Sequence, residues 1–148
     1  MSAGWPKMYR SMLPQSSTAP IAPAVGTAGN MLGAREPPHP LADVHPDPEG
    51  NVGPSSKGLS VVPSLSVLPP NLVPERLRNK RPGARGTNAL RVFRLGNVSF
   101  ARAPLGSALE LLPTSAKHGV IQPAQPMAVQ EYQKELAATQ GLWVVDEA

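Results

Sequence analysis

Proline limits this chain more than any other residue. Fourteen of its nineteen prolines precede residue 76. Each removes a backbone donor and pushes the residue before it out of the helical region, so no helix of any length fits in the front half. That half is left with loops, turns and short strands. With thirteen glycines added, the two punctuating residues exceed a fifth of the 148 positions, close to a low-complexity composition. Apolar residues at 41% still suffice for a modest core, so disorder is not forced. The length fits one domain. We read residues 1–148 as a single α+β domain, with 14–45 as an irregular insertion rich in Pro, Ala, Ser and Gly.

The remaining periodicities place short elements along this frame. Trp5 to Leu13 reads as a first strand, and the run Pro46 to Pro54 as a turn. Gly58 to Leu68 alternates apolar and small polar residues, which predicts a strand interrupted at Pro63. One helical turn is expected over Leu72 to Arg78, a loop over 79–88, and strands over Ala89 to Leu95, Ser107 to Leu112 and His118 to Gln122. Gly96-Asn97 supplies a turn. Only Pro126 to Thr139 has a helical stripe: Val129, Tyr132, Gln133 and Leu136 on one side, Gln130, Glu131 and Lys134 on the other. Gly141 ends that helix, and residues 142–145 form a last strand.

Several chemistries are excluded at once. Without cysteine there is no disulfide, thiolate nucleophile or cysteine-bound metal. No apolar run approaches the ~20 residues that span a bilayer, and no apolar segment with a cleavage site marks a Sec signal peptide, so export would take another route. Phosphate-binding glycine loops, the serine-hydrolase elbow and HExxH are all missing. His39 and His45 sit in a proline-rich loop without ligand spacing, so no metal site is expected. What remains is Tyr9-Arg10, Ser60, His118 and a block from Arg76 to Arg102 with eight basic residues and no acid. Read singly, each has an ordinary explanation: a surface strand end, a solvent-facing serine, a hydrogen-bonding histidine, a solvated charged face.

Three segments in series say more: KMYR (7–10), EGNVGPSSKGLSV (49–61) and KHGVIQPAQPM (117–127), the last leading into the helix. Together they resemble the Tse-two family of type VI secretion exported toxins and its fungal relatives. That family has an aromatic-Arg pair on its first strand. An acidic-Gly turn follows, with Pro four residues after the Gly, then a Gly-x-Ser-Val strand, then a histidine strand leading to Pro-Ala-x-x-Met. Here Gly50, Pro54, Gly58, Ser60 and Val61 fall at that spacing, as do His118, Pro123, Ala124 and Met127. Two positions depart: Leu59 replaces a threonine, and Gly119 replaces the aromatic after the histidine. The matched strands carry no catalytic glutamate, and Glu131 at the helix start is the available substitute.

The resemblance implies a small ADP-ribosyltransferase-like domain of short strands, with one main C-terminal helix and a long Pro-rich loop. Its substrate would be NAD. Arg10, with Tyr9, would hold the diphosphate through a charge-assisted fork. Gly58 would leave room for the nicotinamide ring. Ser60 would bond the nicotinamide ribose or brace its strand, and Ser60 and His118 would be the catalytic pair. Cleaving the glycosidic bond passes through an oxocarbenium-like state, so catalysis rests on positioning and charge stabilisation. Arg10, Ser60 and His118 are expected to converge on one cleft, while Arg35, in the loose loop, should not matter. Such a toxin acts in the cytoplasm of a target cell on a macromolecular target that the sequence does not name, and a cognate immunity protein silences it in its producer. Two other classes stay open: a nucleic-acid module using the basic block with Phe93 and Phe100 as stacking residues, and an interaction protein without activity.

Overall fold

The computed structural model describes residues 4–22 and 30–148, so residues 23–29 of the expected insertion lie outside the described residues. The chain is a small mixed α+β domain, mostly strands, with one α-helix near the C-terminus. Strand β1 (Met8–Met12) is followed by the two-residue β2 (Asn51–Val52), then β3 (Leu59–Val61) and β4 (Arg91–Leu95). Next come β5 (Ala103–Leu105), β6 (Leu109–Ser115), β7 (His118–Pro123) and β8 (Met127–Ala128). The helix α1 (Val129–Ala138) and β9 (Val144–Val145) close the chain.

Two antiparallel sheets form the frame, one ordered β1-β4-β9 and the other β3-β7-β6-β5. They meet at a single antiparallel bridge, where the Tyr9 amide donates to the Val62 carbonyl at 2.7 Å and the Val62 amide returns the bond at 3.0 Å. Strict alternation then decides which side chains go where. Met8, Met12, Leu59, Val61, Phe93, Leu95 and Ile121 point to one side and pack with Tyr132, Leu136 and Trp143 in the main core. Val62, Val92 and the half-buried Tyr9 point to the other side, into a second cluster with Leu65, Leu68, Val73 and Leu77.

Helix α1 buries the stripe read from the sequence, Val129, Tyr132, Gln133 and Leu136. Gln133 is polar yet fully enclosed because the insertion satisfies it. Its amide nitrogen donates to the Ala34 carbonyl at 2.6 Å, and its amide oxygen accepts the Ala34 amide at 2.9 Å. Residues 14–22 and 30–45 form no strand or helix, as expected, but Leu32, Ala34 and Val44 are buried in the main core. The described parts of the insertion are therefore irregular yet packed against the core.

Three local expectations are corrected. The strand predicted over Gly58 to Leu68 ends at Val61, and the chain after Pro63 winds into a 3-10 turn over Leu65–Val67 that serves the second cluster. The single helical turn after Pro69 is two 3-10 turns, Pro70–Leu72 and Glu75–Leu77, because Pro74 interrupts it. The helix starts at Val129, not Pro126, since Met127 and Ala128 pair with β2. Strand β5 has no counterpart in the sequence reading; Pro104 in its middle hid it.

Candidate functional site

Strands β1, β3 and β7, which carry the three matched segments, stand in succession across the join between the sheets. Ser60 lies opposite Val120 on β7, and alternation puts Ser60, Val120 and His118 on the face turned away from the main core. There they line a hollow of about 210 Å3, together with Ala42, Asp43, Ser56, Lys57 and Gly58. The insertion thus contributes one wall, through Asp43, and the turn before β3 contributes the other.

Asp43 owes its position to Arg35. The Arg35 guanidinium makes a bidentate pair with it, Nε to Oδ2 at 3.1 Å and Nη2 to Oδ1 at 3.0 Å, and the Arg35 amide adds a third bond at 2.7 Å. This corrects the expectation that Arg35 sits in a loose loop; it fastens the wall of the hollow. Gly58 is required by close approach. A Cβ there would stand 2.2 Å from the Ile121 carbonyl oxygen and 2.7 Å from the Tyr132 hydroxyl. The space that the resemblance reserved for a nicotinamide ring is filled at this point by the protein's own backbone and the tyrosine.

His118 is half-buried at the start of β7, and burial lowers its pKa below the usual imidazole value, so the ring is neutral near pH 7. The Thr114 hydroxyl lies 2.8 Å from Nδ1 and donates to the His118 carbonyl at 3.2 Å. In the shorter contact either the hydroxyl or Nδ1 can be the donor, and in the neutral ring one nitrogen keeps its lone pair. That arrangement can accept a proton or a hydrogen bond.

Arg10 reaches the same strand from the other side. It shares the core face with Met8 and Met12 and is 8% exposed. Its guanidinium donates to the Ser60 carbonyl at 2.9 Å and to the Met31 carbonyl at 3.2 Å. The Ser60 carbonyl points to the strand edge where no ladder continues to β1 among the described residues, and Arg10 satisfies it there. Burial lowers the Arg10 pKa to about 10, an effect that Asp43 opposes, and the group stays charged at neutral pH. Ser60 and His118 therefore share a hollow, while Arg10 meets Ser60 through its backbone from the core. Tyr9 faces the second cluster and donates its hydroxyl to Asp146 at 3.2 Å; its pKa is raised, first by burial and then by Asp146.

The sequence reading missed a polar row behind the hollow. Glu110 on β6 pairs with Gln122 on β7, on the same face as Ser60. Gln122, 2% exposed, donates to Glu110 at 2.6 Å and accepts the amide of Ser56, a residue of the hollow's rim, at 2.9 Å. Arg102 holds Glu110 from outside at 3.2 Å. Glu131, by contrast, is exposed on α1, across the core from Ser60.

Much of the basic block is matched internally. Arg76 and Arg91 pair with Glu147, Arg94 with Asp146, and Arg78 with Glu75. Phe93 is fully buried and offers no stacking face, while Phe100 is partly buried against the main core. The ring tip of Phe100 stands 2.9 Å, and the Leu112 carbonyl oxygen 3.0 Å, from where a Cβ on residue 119 would lie, so a side chain there would have to displace its neighbours. Among the described residues no group of three or more His, Asp or Glu side chains could hold a metal, and no helix is long and apolar enough to cross a membrane. Comparison with protein-family profiles and with curated proteins finds no match to this chain.

Proposed function

We propose that this chain is an NAD-dependent, ADP-ribosyltransferase-like toxin that acts in the cytoplasm of a target cell. The observation that carries the reading is the meeting of Ser60 and His118, from two of the matched segments, in one hollow beside the strand that bears Arg10. Segments separated by more than fifty residues need not have come together.

In this reading the hollow takes the nicotinamide-ribose end of NAD. Its volume of about 210 Å3 falls below the ~300–1,000 Å3 of typical ligand clefts, so it admits only one end of a dinucleotide. The Ser60 hydroxyl bonds the ribose. Neutral His118 offers the unprotonated nitrogen of its ring as an acceptor for the hydroxyl of an incoming nucleophile. Asp43 supplies negative charge beside the sugar as the carbon–nitrogen bond breaks and positive charge develops on the ribose. Arg10 is a positioning residue: by holding the Ser60 carbonyl it fixes the strand edge and hence the hydroxyl. The row from Arg102 through Glu110 and Gln122 fixes the rim at Ser56 in the same way. A dedicated immunity protein and a macromolecular acceptor of the ADP-ribose complete the scheme.

Controlled expression in a bacterium tests it. Wild-type protein should arrest growth and consume NAD, releasing nicotinamide as ADP-ribose passes to its acceptor. Ser60→Ala and His118→Ala, both folded by circular dichroism, should relieve the arrest by tenfold or more in viable count, as expected for the loss of about 1.5 kcal/mol of transition-state stabilisation. Growth arrest that persists undiminished in both folded variants would refute the assignment.

A further inference from the structure

A second hollow lies against the first. It encloses about 270 Å3 and is walled by Val44, Val52 and Pro126, with His45, Asp47 and Asn51 supplying polar groups. The two hollows share one residue, Lys57, which lines both. The segment Gly53 to Gly58 therefore forms a ridge, and any ligand occupying both hollows crosses it at Lys57. Each hollow alone is smaller than a typical ligand cleft, whereas the pair matches one.

The charged groups around the ridge are Lys57, Asp43 paired with Arg35, and Asp47, whose Oδ1 accepts the Glu49 and Asn51 amides. Lys57 is exposed, and none of the ion pairs among the described residues involves it. Arg10 is enclosed and grips two backbone carbonyls. The cation presented to solvent between the hollows is therefore the lysine. An ammonium on a flexible stem suits a compact anionic linker whose exact angle is not fixed in advance. The apolar walls of the second hollow, edged by an imidazole and an amide, suit a flat heterocycle with polar edges.

We propose that the two hollows form one bipartite site for a dinucleotide, with Lys57 holding the diphosphate where the ligand crosses the ridge. This rests on the NAD reading above and moves the diphosphate contact from Arg10 to Lys57. The adenosine half occupies the hollow at His45 and Asn51, and the nicotinamide-ribose half the hollow at Ser60 and His118.

Amide chemical shifts of the full chain, titrated with NAD, adenosine and nicotinamide riboside, separate the halves. Adenosine should move Asn51 and Gly53 only, nicotinamide riboside Ser60 and His118 only, and NAD both sets. Lys57→Ala should weaken NAD about tenfold or more, the loss of one charged contact, and should weaken adenosine, which carries no phosphate, much less; Lys57→Arg should restore most of the affinity. Lys57 is exposed and makes no described bond, so these variants should remain folded. If NAD binds at Ser60 and His118 but leaves Asn51 and Gly53 unmoved, or binds Lys57→Ala as tightly as wild type, the bipartite site is wrong and the NAD reading survives. If NAD moves neither set, both fail.

Discussion

Replacing Tyr132 by phenylalanine removes one oxygen from the interior and should cost a large part of the stability. Tyr132 is fully buried on α1, and its hydroxyl donates to the Ile121 carbonyl at 2.5 Å while accepting the Leu59 amide at 3.0 Å. That one group ties the helix to β3 and β7, two residues or fewer from Ser60 and Val120. Burial raises its pKa above the usual tyrosine value, so the hydroxyl keeps its proton throughout the neutral range. Phenylalanine retains the ring and nearly all its apolar burial. What changes is that a buried amide loses its acceptor and a buried carbonyl loses a donor, each costing about 1–3 kcal/mol. We expect a loss of about 2–4 kcal/mol, a sizeable share of the ~5–15 kcal/mol typical of a domain. Urea unfolding followed by tryptophan fluorescence measures this, with an unchanged dependence on denaturant showing that the folded and unfolded states are otherwise alike. A loss below about 0.5 kcal/mol would refute the claim that this hydroxyl fastens the strands.

Gly58→Ala should be worse, by about 3 kcal/mol or more, because its Cβ would meet the Ile121 carbonyl and Tyr132 hydroxyl well inside contact distance; a thermal melt near wild type would contradict that packing. Arg35→Ala should cost about 1–2 kcal/mol and release Asp43 from the hollow, visible as faster amide exchange over residues 35–44; unchanged exchange would show that the pair does not order the insertion. Stability should fall in two steps on acidification. His118 has a lowered folded pKa, so its contribution is present above the unfolded value of about 6.5 and is lost as pH falls from there through the folded value. Burial raises Asp146 and Glu147, but Arg94 and Arg76 outweigh it and hold both below the usual range. Their contribution is complete above about pH 4.5 and disappears below. Denaturant midpoints from pH 8 to pH 3 check both steps, and His118→Asn should abolish the first alone.

The sequence made the helix legible because a ten-residue amphipathic stripe has a period that nothing else mimics, and even the enclosed Gln133 lay on it. The cores of β1, β4 and β7 were equally readable from short apolar runs. The residues after Val61 were not. Their alternation continues past Pro63, yet tertiary packing beneath β1 and β4 turns them into 3-10 segments. Of the residues around the hollow, Ser60, His118 and Gly58 were singled out through the resemblance of their segments. Asp43, Lys57 and Glu110 were not, because they arrive from an irregular insertion, a turn and a strand whose pairing is set by register. Arg10 was singled out through the aromatic-Arg pair of the resemblance, whereas its alternation with Met8 and Met12 puts it on the buried face of β1. The pairing of the basic block with Asp146 and Glu147 spans more than fifty residues and depends on β9 lying beside β4.

Binding of NAD to the wild-type chain and to Ser60→Ala, measured side by side by titration calorimetry, tests the central claim most directly. Wild type should bind NAD saturably and one-to-one, and Ser60→Ala should bind it about three- to tenfold more weakly, the loss of one neutral hydrogen bond. No heat of binding to folded wild-type protein at millimolar NAD, or identical isotherms for the two proteins, would contradict it.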